Sequence, residues 1–238
     1  LAAFLPKAIK AVFIRPETQG VMVRHGPLFL AIALVAALLS GCVGPPSDRH
    51  ARGPHAPPRP NGEMMRQCVG DLSRMGAKFS VLPDFVGKGG CSAIISVLMT
   101  GAGASISNLR ATQCPLARAF AGWVRGPVQT HARDILGSPV VRVETMGSYA
   151  CRQVKGVASN KLSEHAYANA IDVSGFVLAD GRRVTVLGGW QGKGDEAEFL
   201  RAIRNDACKR FLTVLSPDYN FAHRDHLHVD LGGRPYCR

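Results

Sequence analysis

From residue 62 onward, apolar positions recur with two different periods. Met65, Cys68, Leu72 and Met75 repeat at three- and four-residue steps, the spacing of one helix face, and predict a helix over about 62–75. "AKFSVLPD" reads as a short strand, and the β-branched run "CSAIISVLMTG" as another. Thr112 is the expected cap of a helix carrying Leu116, Phe120, Trp123 and Val124. Pro127 breaks or bends that helix, and a further helical stretch reaches Ile135. "PVVRVETMGSYACR" predicts a strand ending near Gly147, and "NAIDVSGFVLADGRRVTVLGG" a hairpin turned at Asp180-Gly181. Phe199, Leu200, Ile203, Ala207 and Phe211 predict an amphipathic helix after Asp195. "SPDYN" reads as a turn. "HLHVDL" alternates as a closing strand, with His226, His228 and Asp230 on one face and Leu227, Val229 and Leu231 on the other. No internal repeat is visible. The fold class is α+β, a mostly antiparallel sheet with flanking helices.

The residues before 62 follow neither period. "LFLAIALVAALLSGC", residues 28–42, is an apolar run shorter than the roughly 20 residues that span a bilayer. Arg24 precedes it, as in the charged first region of a secretory signal, and Met22 would open a signal of ordinary length. "LSGC" resembles a bacterial lipobox, which implies a lipidated N-terminus at Cys42. The competing reading is a short membrane anchor or a buried helix. The expected organisation is a signal peptide over 1–41, with 1–21 a candidate misassigned start. A Pro-rich tether follows over 42–61, then a single domain over 62–238. Val43 follows Cys42, with no acidic residue to retain the protein at an inner membrane. The expected location is the cell envelope, on the outer membrane and facing the periplasm.

Charge narrows the partners. The formal charge is +12. Residues 1–41 hold four cations (Lys7, Lys10, Arg15 and Arg24) and one carboxylate (Glu17), so +9 of it remains on the exported part. A basic chain often meets nucleic acid. An exported one meets an anionic wall polymer or a membrane surface instead, so peptidoglycan is expected as partner, with membrane attachment through the lipid and no nucleic acid. Of seven cysteines, Cys42 is set aside. Cys68, Cys91, Cys114, Cys151, Cys208 and Cys237 remain, an even number that predicts three disulfides. Fifteen pairings are open. Without a CxxC pair, a cysteine-based zinc site is not expected.

Histidines cluster late, at His165, His223, His226 and His228. "HLHVD" aims two imidazoles to one side. "LSEHAYANAIDV" sets His165 and Asp172 seven positions apart. A helix would separate them by about 10 Å along its axis. A strand would separate them by roughly 23 Å, on opposite faces. Ligands of one zinc must bring their donors to within about 2 Å of it, so a shared ion requires this segment to fold back once. Two histidines, a carboxylate and an open position form a catalytic zinc arrangement. Non-haem iron oxygenases use the same donors, but with the first two ligands usually one residue apart.

These residues carry a resemblance. "SEHAYANAID" is similar to the S-x-H-x-x-G-x-A-x-D pattern of the D-Ala-D-Ala metallopeptidases, with Ala168 at the glycine position. "HRDHLHVDL" resembles the H-x-x-H-x-H segment of the penicillin-insensitive murein endopeptidases. Both groups belong to the superfamily that includes lysostaphin and Sonic hedgehog. Taken with "GSYACR", the set most resembles the bacterial extensin-like C-terminal domain family over about 62–238. The resemblance implies a zinc-peptidase-like cleft holding one Zn²⁺ on His165, Asp172 and His228. It implies His226 as general base or transition-state stabiliser and Arg152 as holder of the substrate carbonyl or carboxylate. His223, Ser163 and Asp225 would support them. The expected function is hydrolysis of an amide bond in peptidoglycan peptides; the alternative is a non-catalytic peptidoglycan-binding module using the same cleft. The bond, the disulfide pairing and the oligomeric state are left open.

Overall fold

The computed structural model of the chain describes residues 60–154 and 161–238. The signal-peptide assignment, Cys42 and all but the last two residues of the expected tether lie outside the described residues. Helix α1 (Pro60–Arg74) leads into strand β1 (Lys78–Val81). Strands β2 (Phe85–Val86) and β3 (Ser92–Ala93) form a small separate sheet. β4 (Ser96–Gly101), β5 (Ser105–Ser107) and β6 (Ala111–Gln113) precede helix α2 (Cys114–Trp123). A π-helical stretch containing Pro127 joins α2 to α3 (Gln129–Leu136). β7 (Val140–Gly147), β8 (Ala170–Leu178) and β9 (Arg183–Thr185) follow, then α4 (Val186–Gly189) and α5 (Asp195–Ala207). β10 (Thr213–Leu215), β11 (Leu227–Asp230) and β12 (Tyr236–Cys237) complete the described chain.

The main sheet runs β1-β4-β5-β7-β8-β11-β10-β12, with β6 paired to β4 and β9 to β8. Pairing is antiparallel except β5 with β7 and β10 with β12, so the α+β, mostly antiparallel expectation holds. Ile171, Val173, Phe176, Leu227 and Val229 point into the core, where they meet Phe120 and Trp123 of α2 and Phe199 and Ile203 of α5. The Trp123 indole donates to the Ile203 carbonyl at 3.0 Å, which ties α2 to α5. Alternation then puts Asp172 and His228 on the opposite face, away from the helices.

Three local expectations need correction. "CSAIISVLMTG" is not one strand: Ile95 takes φ +50° and separates β3 from β4. Asp84 holds this kink by accepting from the Ile95 amide at 2.7 Å. Thr112 caps no helix. It is buried in β6, its hydroxyl donating to the Arg110 carbonyl, and α2 starts at Cys114 with a proline in its first turn. The hairpin β8–β9 turns at Asp180-Gly181 as expected, but "VLGG" continues as α4, capped by Thr185 accepting from the Gly188 amide at 3.1 Å.

The six cysteines pair as Cys68–Cys114, Cys91–Cys151 and Cys208–Cys237. The first joins α1 to the start of α2. The third joins the residue after α5 to β12. The second anchors the segment that carries Arg152. Among the described residues, no helix is long and apolar enough to cross a membrane.

Candidate metal centre

The segment between His165 and Asp172 does fold back. Ser163 caps a single 3-10 turn, Glu164–Tyr167, by accepting from the His165 amide at 3.4 Å. Ala168 then adopts φ +55°, a left-handed conformation that glycine enters more freely. Gln113 braces this turn, donating from its amide to the Ala168 carbonyl and from its side chain to the Tyr167 carbonyl, both at 2.8 Å. Two residues later β8 begins, so His165 lies before the reversal and Asp172 after it.

His165, Asp172 and His228 come together: one donor atom from each lies within 4.8 Å of the others. His165 Nε2 stands 3.3 Å from His228 Nδ1 and 3.1 Å from Asp172 Oδ2, and His228 Nδ1 is 2.9 Å from Asp172 Oδ1. Ligands at about 2.05 Å in a tetrahedral site are spaced by about 3.3 Å, so this separation suits zinc.

The outer ring nitrogens carry the same message. His165 Nδ1 donates to the Ser148 carbonyl at 2.7 Å, and His228 Nε2 donates to Asp230 Oδ2 at 2.8 Å. Carbonyl and carboxylate oxygens only accept, so each outer nitrogen holds the hydrogen and each inner one keeps a lone pair. Two inward lone pairs and a carboxylate then face one point, which calls for a cation. In the metal-free protein a proton can serve. Burial works against a charged His228, but hydrogen bonds and charge from Asp172 and Asp230 outweigh it and push its pKa up to about 9. Burial likewise raises Asp172, yet hydrogen bonds from His165 and His228 and their charges hold the carboxyl well below the usual range. The donor set therefore fits a divalent metal on His165, Asp172 and His228.

His226 sits beside this set. Its Nδ1 is held by Asp225 Oδ1 at 2.9 Å, and its Nε2 lies 3.6 Å from Asp172 Oδ1. His223 ends a 3-10 turn, Phe221–His223, and its Nδ1 donates to Asn220 Oδ1 at 2.8 Å. Burial, then the charges of His226 and His228, push its pKa down to about 4, so it stays neutral near pH 7. Arg152 is positioned by backbone: its carbonyl accepts from the Ser163 amide at 3.0 Å, and the His165 carbonyl accepts from Ala150 at 3.1 Å. Arg152, Asp172, His223, His226 and His228 line one cavity of about 730 Å³. A second, of about 460 Å³, also reaches Arg152 and Asp172 and adds His165.

A family model described as Extensin-like protein C-terminus matches residues 66–238. The chain belongs to that family. No curated protein and no solved structure matches the chain. All the residues singled out as ligands, catalytic groups and supports in the sequence fall inside the extensin-like match. Two participants of this extensin-like domain were missed. Asp230 shares a strand face with His228, a signal visible in "HLHVD". The Ser148 carbonyl has no such signal, because a backbone acceptor is available at every residue.

Proposed function

We propose that the extensin-like domain holds one zinc ion on His165, Asp172 and His228 and hydrolyses an amide bond in peptidoglycan peptides. The convergence of three donors with anchored outer nitrogens carries this reading. The resemblance to D-Ala-D-Ala metallopeptidases and murein endopeptidases supports it, as does the basic charge. A zinc ion supplies Lewis acidity and brings a bound water's pKa to near 7. The protein's own groups do the rest. Asp225 orients His226 through Nδ1 and leaves Nε2 free to take a proton as the carbonyl is attacked. Arg152 lines the larger cavity, and its role in this reading is to hold the substrate carbonyl, where negative charge develops. Neutral His223 forms the wall beside His226 without adding a competing cation. Ser163 fixes the His165 turn.

In this reading the protein is an exported lipoprotein, tethered from Cys42 through 42–61 and facing the periplasm. The test is release of soluble fragments from purified murein, with zinc measured on the same samples. Release that a chelator abolishes and zinc restores is the expected result. A protein that binds murein and releases nothing would make it a non-catalytic binding module. Unchanged zinc content in His165→Ala would remove the metal assignment itself.

A further inference from the structure

A group of exposed rings stands beside the larger cavity, outside the donor set. Asn220 and Ala222 line that cavity together with Asp172 and His228, and Phe221 lies between them in the chain. The Arg224 guanidinium covers one face of Phe221, 4.2 Å from the ring centre. The ring is still 78% exposed, so it presents its other face to solvent. Tyr219 lines the cavity as well. It meets Tyr236 edge to face at 5.7 Å between ring centres, and both tyrosines are exposed. Large exposed rings grouped at the rim of a concave site mark a place of contact.

The backbone holds these rings in place. Asn220 Oδ1 accepts from the Ala222 amide at 3.0 Å and from His223 Nδ1 at 2.8 Å, which fixes the turn bearing Phe221. Arg224 closes the same turn by donating to the Phe221 carbonyl at 3.2 Å. The Tyr219 amide donates to the Ser216 carbonyl at 2.9 Å, and the Tyr236 amide to the Leu212 carbonyl at 2.8 Å. Tyr236 also precedes a bridged cysteine. Rings ordered before a ligand arrives lose little freedom when it binds. Polar groups accompany them: Asn220 and Arg224 beside Phe221, Arg234 two residues before Tyr236, and the tyrosine hydroxyls themselves. A sugar ring has the matching shape. Its flat C–H face stacks on an aromatic face, while its hydroxyl and acetamido groups reach hydrogen-bonding partners around the edge.

We propose that Phe221, Tyr219 and Tyr236 form a stacking platform for the sugar strand of the wall polymer, with N-acetylated amino sugars seated on the rim while the peptide they carry enters the cavity. The pairing of strand with peptide rests on the peptidoglycan reading; sugar binding by the rim does not. The test titrates the full chain, with and without zinc, with chitotetraose, an uncharged tetramer of N-acetylglucosamine that carries no peptide. Calorimetry measures affinity and saturation-transfer NMR reads the contact. Saturable binding is expected in both states. Phe221→Ala should weaken it about 3–10-fold at unchanged zinc content and Tm, and Phe221→Trp should keep it. No saturable binding by the wild type, or undiminished binding by Phe221→Ala, overturns the platform. Phe221-dependent attachment to anionic phospholipid vesicles without binding of the tetramer overturns it in favour of a membrane surface. A wild type that binds the tetramer but cleaves no murein supports the platform and removes its pairing with a hydrolytic centre.

Discussion

His228 stands directly opposite Asp172 across the β8–β11 ladder. Opposed residues on one sheet face bring their Cβ atoms to about 4.5–5.5 Å, so strand register alone delivers two of the three donors. The third, His165, is delivered by the turn at Ala168. The site therefore depends on one ladder and one reversal.

The outer anchor of His228 is the first target. Asp230→Asn replaces a charged acceptor with an amide that can also present the wrong atom. Zinc affinity is expected to fall about 10–100-fold, the usual cost of losing a group that orients a ligand histidine. Competition with a chromophoric chelator measures this. Unchanged affinity would mean that His228 is held by packing alone.

Proton competition gives the second. With its pKa near 9 in the metal-free protein, His228 is protonated at pH 7 and must lose about one proton when zinc binds. Affinity is expected to drop about tenfold per unit as pH falls below 9. Asp172 adds nothing to this slope above pH 4, since its carboxyl is already ionised. For folding the sign is the reverse. A raised folded-state pKa contributes stability to the metal-free protein below the unfolded value near 6.5, and that contribution is lost as pH rises through about 9. Calorimetry in buffers of different ionisation enthalpy counts the proton released.

His226 separates chemistry from binding. His226→Ala should retain zinc and the fold while lowering murein hydrolysis about 10²–10⁴-fold. Loss of zinc along with activity would make His226 a ligand. Equal activity would remove it from the mechanism.

Ala168 tests the reversal. Ala168→Val adds a β-branched side chain at φ +55° in a fully buried position. It is expected to cost about 3 kcal/mol or more and to reduce zinc binding with it. Ala168→Gly should change stability by less than about 1.5 kcal/mol, because relief of the backbone offsets one lost buried methyl. Thermal denaturation of both variants checks the pair.

The parts of the site carried by local pattern were legible. Alternation in "HLHVD" set His228 and Asp230 on one side, as their hydrogen bond shows, although β11 begins only at Leu227 and His226 precedes it, and the His165–Asp172 spacing demanded a fold-back that the structure contains. The means of that fold-back was hidden, because alanine does not advertise a positive φ. Ile95 hid the break before β4 for the same reason: its apolar β-branched neighbours read as continuous strand, and the kink is held from outside the run, by Asp84 eleven residues earlier and by the Cys114 amide. Thr112 misled because threonine is a good cap, while the proline at position 115, in the first turn of α2, was the better marker of where the helix begins. The cysteine pairing depends on which elements become neighbours, and spacing alone does not carry that.

The Cys91–Cys151 bridge gives the site a timetable. The three candidate donors are set by ladder and turn, and none of them belongs to a disulfide. Arg152, by contrast, follows directly on a bridged residue whose partner lies 60 positions earlier. The donor set can thus form in a reduced chain, whereas the segment carrying Arg152, held by backbone bonds to Ser163 and His165, gains its covalent anchor only on oxidation. If the proposed function holds, a chain that folded before oxidation would have its three donors in place and the Arg152 segment without its bridge, and oxidation would act as the final maturation step.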